Sequence, residues 1–129
     1  MMTDLHNNIT AWVTFWNTYD LSALDQLFLI DDRMTYFSSE KEGILRGIDA
    51  LREHHVKFGF VLGGKTHTNR LWLEALQTDV FGEAAVATAI WCFQRADGPI
   101  QRGPVTFVYV LVNNDYRIAH VNFGNYPKK

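Results

Sequence analysis

Apolar residues recur at helical spacing through the first half of the chain and at every second position through the second half. Leu5, Ile9, Trp12, Val13, Trp16 and Tyr19 fall on one face of a helix that Thr3 and Asp4 are suited to start, and Phe15 widens the stripe. Asp20 or Ser22 caps a second, short helix, with Ser22 and Asp25 at capping-box spacing and Leu21, Leu24, Leu27 and Phe28 on its buried side. Asp31-Asp32 breaks that run. Arg33–Ser39 reads as a strand with Met34, Tyr36 and Ser38 on one side, and Ile44–Arg46 is a short strand between Gly43 and Gly47. From Gly47 the spacing predicts a third helix to about Leu62, with Ile48, Leu51, His55, Phe58, Gly59 and Leu62 on one face and Gly63-Gly64 as its stop.

Everything after that point reads as sheet. Lys65–Val80 and Ala84–Gln94 flank a turn at Gly82-Glu83, and Asp97-Gly98 marks the next reversal. Ile100–Val112 and Tyr116–Phe123 then pair across Asn113-Asn114-Asp115, residues that tolerate the left-handed backbone of a tight hairpin. In the first of these strands Val105, Phe107, Tyr109 and Leu111 point one way, and Thr106, Val108, Val110 and Val112 the other. Both sets are largely apolar, so both faces need cover. Helices can cover only one of them, which points to a second copy of the chain on the other. Helices first and long antiparallel strands last is the α+β pattern, here as a single domain over residues 1–129.

Composition narrows the function. Four Trp, nine Phe and five Tyr supply bulky core for a sheet packed on helices. A net charge of -2 with scattered signs lacks the basic stripe that nucleic acid calls for. A lone Cys92 allows no internal disulfide and fits a reducing compartment. No basic-then-apolar leader and no membrane-length apolar run are visible, so the expectation is a cytoplasmic protein with no membrane partner.

The order of elements, carried by AWVTFWNTYDLSALDQLF, MTYFSS, GILRGIDALREHH and GPVTFVYVLVNNDYRIAHVNF, resembles the nuclear transport factor 2-like superfamily. Within it the chain is most similar to SnoaL-like and ketosteroid isomerase-like proteins. The resemblance implies a cystatin-like, cone-shaped, curved antiparallel sheet with three N-terminal helices enclosing a pocket. It also implies a homodimer formed through the outer sheet face. Function does not follow, because related folds include isomerases, dehydratases, cyclases and proteins without chemistry. The positions that would carry the steroid isomerase base and oxyanion hole fall near Phe37, Trp12 and Val105, which cannot exchange a proton. That constellation is absent.

The remaining chemistry lies with the histidines. His55 sits on the apolar face of the third helix, either as a core imidazole held by a backbone carbonyl or as a pocket acid or base. His54 lies a hundred degrees round, at the margin. Strand alternation puts Ile118, His120 and Asn122 on one face, and a concave face there would send imidazole and amide into the cavity. His120 is then the proton-transfer group and His55 its partner, with Tyr36 and Asn122 orienting a small apolar or aromatic ligand. Trp91 and Phe93, with Trp12 and Phe58 from the helices, form the apolar wall, and Ala85, Ala87 and Ala89 leave room. Arg102 is either a surface arginine or, turned inward, a partner for an anionic ligand such as a carboxylate.

No histidine pair has a metal-binding helical spacing with a Glu partner, Cys92 reads as inert packing, and Gly63-Gly64-Lys65 leads into a strand rather than a phosphate-binding helix. The expectation is thus a cofactor-free, metal-free acid–base enzyme of isomerase, dehydratase or cyclase type. The alternative is a non-catalytic ligand-binding or dimerisation module.

Overall fold

The computed structural model describes residues 5–127; the expected helix start at Thr3 and Asp4 lies outside them. Helix α1 spans Leu5–Thr18 and buries Leu5, Asn8, Ile9, Trp12, Phe15 and Trp16, the stripe that helical spacing demands. Asn8 anchors it by donating to the carbonyl of Tyr116 at 2.8 Å. At the other end Asn17 both donates to the carbonyl of Leu71 and accepts from its N–H, as a neighbouring strand would. A 3₁₀ turn at Leu21–Ala23, capped by Asp20 through the N–H of Ser22, leads into α2, a single turn at Leu24–Leu27. The cap is therefore Asp20 rather than Ser22.

Six strands form one open, curved sheet in the order β2-β1-β6-β5-β4-β3. They are β1 Thr35–Phe37, β2 Leu45–Arg46, β3 Arg70–Phe81, β4 Ala84–Gln94, β5 Ile100–Val112 and β6 Asp115–Phe123. The sheet is mixed rather than wholly antiparallel, because β1 runs parallel to β6 with Thr35 opposite His120. Asn113 and Asn114, both at positive φ, close the β5–β6 hairpin as a two-residue turn.

Helix α3 spans Ile48–Phe58, shorter than the apolar spacing suggests. Gly59 adopts the left-handed conformation at φ 111° and returns its N–H to the carbonyls of His55 and Val56. The helix stops there, and Leu62 is exposed. Residues 65–69 do not join β3. They are tied instead to the end of α1, with Lys65 donating to the carbonyl of Thr18 and Asn69 to the hydroxyl of Tyr19.

The helices cover one face of the sheet. Val105, Phe107 and Tyr109 of β5 are buried beneath them, with Ala85, Ala87, Ala89, Trp91 and Phe93 of β4. Trp12 meets Phe107 edge-on at 4.9 Å and stacks on Phe123 at 5.8 Å. Such pairs each add roughly 0.5–1.5 kcal/mol beyond burial. The core is one continuous apolar cluster. Among the described residues, no helix is long and apolar enough to cross a membrane.

Candidate functional site

Between α3 and the concave side of the sheet the core does not close completely. A cavity of about 40 Å³ remains, walled by Trp16, Phe58, Leu71, Trp91, Phe93 and Phe123. Its polar groups come from the β1–β2 loop (Ser38, Ser39, Glu40), from Tyr36, from His54 on α3 and from Gln101 on β5. A space of that size holds about three waters. Trp91 is fixed as a wall because its indole N–H donates to the carbonyl of Gly124 at 2.9 Å. Ser38 accepts the N–H of Glu40 at 3.0 Å, which sets the turn of the loop at the cavity's edge.

His55 is fully buried behind this wall, among the rings of Phe15, Trp16, Phe28, Tyr36 and Phe60. Its Nδ1 lies 2.9 Å from the carbonyl of Leu51, one helical turn back. A carbonyl only accepts, so Nδ1 carries the proton and Nε2 is bare. Burial lowers the His55 pKa to about 3, against a weaker opposing effect of that hydrogen bond. The ring is a neutral structural group near neutral pH. Tyr36 is buried too, and loss of solvent pushes its hydroxyl far above the ordinary range, so it stays protonated. His54 is half-buried and shifted downward by burial and by the charges of Lys41 and Lys57. Its imidazole lies 5.6 Å from the Tyr36 ring, centre to centre.

Tyr36, Trp91, Phe93 and Phe58 therefore meet at the cavity as the sequence suggests. Trp12 stands behind Phe123 rather than at the surface of the space. His120 and Asn122 do not reach it. The β5–β6 register pairs Tyr109 with Ile118 but Val108 with His120, leaving Ala119 as an extra residue in β6. That bulge reverses the alternation. Tyr116 and Ile118 face the helices before it, Val121 and Phe123 after it, and His120 and Asn122 are turned to the outer face. There His120 Nδ1 bonds Thr35 Oγ1 at 2.7 Å. The expected cluster of His55, His120, Asn122 and Tyr36 is not assembled. Arg102 is also on the outer face, exposed and paired with Glu74 at 3.1 Å, since alternation continues unbroken through Pro104.

His54, Trp16, Leu71, Phe123, Ser38, Ser39, Glu40 and Gln101 complete the lining without having been singled out as site residues. The polar Ser39–Gly43 loop next to a buried strand is the available signal for Ser38, Ser39 and Glu40. Gln101 carries none in the sequence. Among the described residues, no group of three or more His, Cys, Asp or Glu side chains is placed to hold a metal ion.

No protein-family model matches the chain, and no curated protein matches it. Solved structures do. A nuclear transport factor 2-like superfamily protein from Salmonella enterica serovar Typhimurium superposes with a TM-score of 0.75 at 25% identity, over 95% of this chain and 89% of that one. An uncharacterised protein with a cystatin-like fold from Caulobacter vibrioides gives 0.73 at 20% identity, over 95% and 87%. The association domain of CaMKII from C. elegans gives 0.76 at 16% identity, over 95% and 93%. Over nearly its whole length the chain has the fold of nuclear transport factor 2-like superfamily proteins.

Proposed function

We propose that the chain is a small-molecule-binding domain of SnoaL-like type that works as a homodimer. The observation that carries the reading is the cavity under α3, where aromatic walls meet a few convergent polar groups from four separate elements. A packed core needs no hydroxyls, imidazole and carboxylate gathered at one opening. Ligand recognition does. In a catalytic form of this function, cofactor-free proton transfer falls to His54, which lines the cavity and is held neutral, with the Tyr36 hydroxyl as a neutral donor. His120 is too far round the sheet for that role.

The outer face supports the dimer. Val86, Ile90, Val108 and Val110 form an apolar stripe there that no helix covers. The relation in fold to an association domain supports self-assembly as well.

A non-catalytic module is favoured by two hydrogen bonds. His55 is bonded to the Leu51 carbonyl and His120 to Thr35, so both imidazoles that the sequence offered for proton transfer are already engaged. Native mass spectrometry of the purified protein tests both parts: a dimer retaining a small organic molecule supports the reading. A monomer that binds nothing from a small-molecule library, with unchanged tryptophan emission throughout, contradicts it.

A further inference from the structure

Arg95 follows β4, and its guanidinium reaches residues that line the cavity. It stands 5.1 Å from the ring centre of Phe93 and 5.8 Å from that of Phe58. One N–H group donates to Oε1 of Gln101 at 3.1 Å, and Nη2 lies 3.8 Å from Oε1 of Glu40. Phe58, Phe93, Gln101 and Glu40 all line the cavity, so one arginine contacts four of its lining residues.

The pairing with Glu40 is loose. At 3.8 Å it is too long for a hydrogen bond, and both side chains are about half exposed, at 50% and 49%. Exposed pairs of this kind contribute little to stability. Two rings lie beside the guanidinium, while most of its donor fork is uncommitted among the described residues. A flat, fixed fork with free N–H groups is suited to receive a carboxylate through two bonds. Glu40 already offers one, imperfectly. A cationic ligand would instead have to approach the same rings against the charge of Arg95.

The cavity size agrees with this arrangement. A dry cavity of roughly 150 Å³ holds a benzene ring. With only about 40 Å³ of space, open to solvent, an aromatic body enters partway and leaves its polar end outside, near the guanidinium that contacts Phe58, Phe93 and Gln101.

We infer that the cavity takes a small carboxylate, its apolar body against Phe58, Phe93 and Trp91 and its carboxylate on Arg95 in place of Glu40. This rests on the small-molecule reading above and adds the ligand class. Arg95 is then the residue that selects for charge, and Glu40 is the competitor that the ligand displaces.

Titration calorimetry with benzoate and its uncharged isostere benzamide tests the inference. Wild-type protein is expected to prefer benzoate by about tenfold or more, the effect of a charge-assisted bond. Arg95→Gln should remove that preference, weakening benzoate binding far more than benzamide binding. Glu40→Gln should tighten benzoate binding. Because Arg95 and Glu40 are half exposed, neither change endangers the fold, and circular dichroism verifies this. Equal affinity for the two probes, or a preference that survives in Arg95→Gln, overturns the ligand class while the cavity reading stands. Binding of neither probe to wild type or to Glu40→Gln overturns both.

Discussion

The Nδ1 of His120 lies 2.7 Å from the Oγ1 of Thr35, a bond between parallel neighbours β6 and β1 on the face of the sheet that the helices leave open. The imidazole is therefore directed away from the cavity, with the ring of Phe37 edge-on beside it at 5.8 Å. His120→Ala is expected to leave benzoate affinity within about twofold of wild type, less than the effect of any lost direct contact. His54→Ala, by contrast, should change affinity or turnover. Calorimetry on the two variants decides between them, and a large loss in His120→Ala would return that residue to the site.

Protonation of His55 should govern part of the acid sensitivity. Above its ordinary value of 6.5 the ring is neutral in both folded and unfolded chains and contributes no pH dependence. Below 6.5 the unfolded chain takes up a proton that the folded one refuses until about pH 3. Stability then falls as pH falls, by about 1.4 kcal/mol per pH unit from this group alone. Denaturant titrations at successive pH values below 6.5 should show this slope. His55→Phe should flatten it; an unchanged slope would mean the imidazole is not the group being titrated.

Gly103 is required by close approach. A Cβ there would stand 2.0 Å from the carbonyl oxygen of Gly124 and 2.8 Å from the Trp91 indole nitrogen. Gly103→Ala must displace the Trp91–Gly124 bond and with it one wall of the cavity. A stability loss of roughly 1–3 kcal/mol is expected, the range for overpacking, together with a shift in tryptophan emission. A variant as stable as wild type would show that the terminal Gly124 segment yields freely.

Phe107 lies at the centre of the helix–sheet contact, fully buried and edge-on to Trp12. Phe107→Ala should cost about 3–5 kcal/mol in equilibrium unfolding. A much smaller loss would indicate that the helices can settle into the gap.

The outer stripe makes a separate prediction about assembly. Val108→Asp places a charge among Val86, Val110 and the corresponding residues of a second copy. Sedimentation at micromolar concentration should show a dimer for wild type and a monomer for the variant. A variant that remains dimeric would move the interface elsewhere.

Local pattern alone was enough for most of the architecture. The α1 stripe, the Asn113-Asn114 turn and the two faces of β5 follow from repeats of 3.6 and 2 residues, each a property of nearby backbone geometry. Tyr36, Phe58, Trp91 and Phe93 could be assigned to the concave wall for the same reason. The last strand could not be read by simple alternation, because one additional residue reverses every side chain after it. Its apolar positions do change parity, from Tyr116 and Ile118 to Val121 and Phe123, and that change is the trace the bulge leaves in the sequence.

Pairing decided what remained. Whether His120 faces the hollow depends on the register of β6 against β5, and the parallel alignment of β1 then supplies its partner Thr35. The opening itself draws Glu40, His54, Arg95 and Gln101 from four segments far apart in the chain. No local periodicity encodes that meeting, since it exists only once the sheet has curved and α3 has been laid across it.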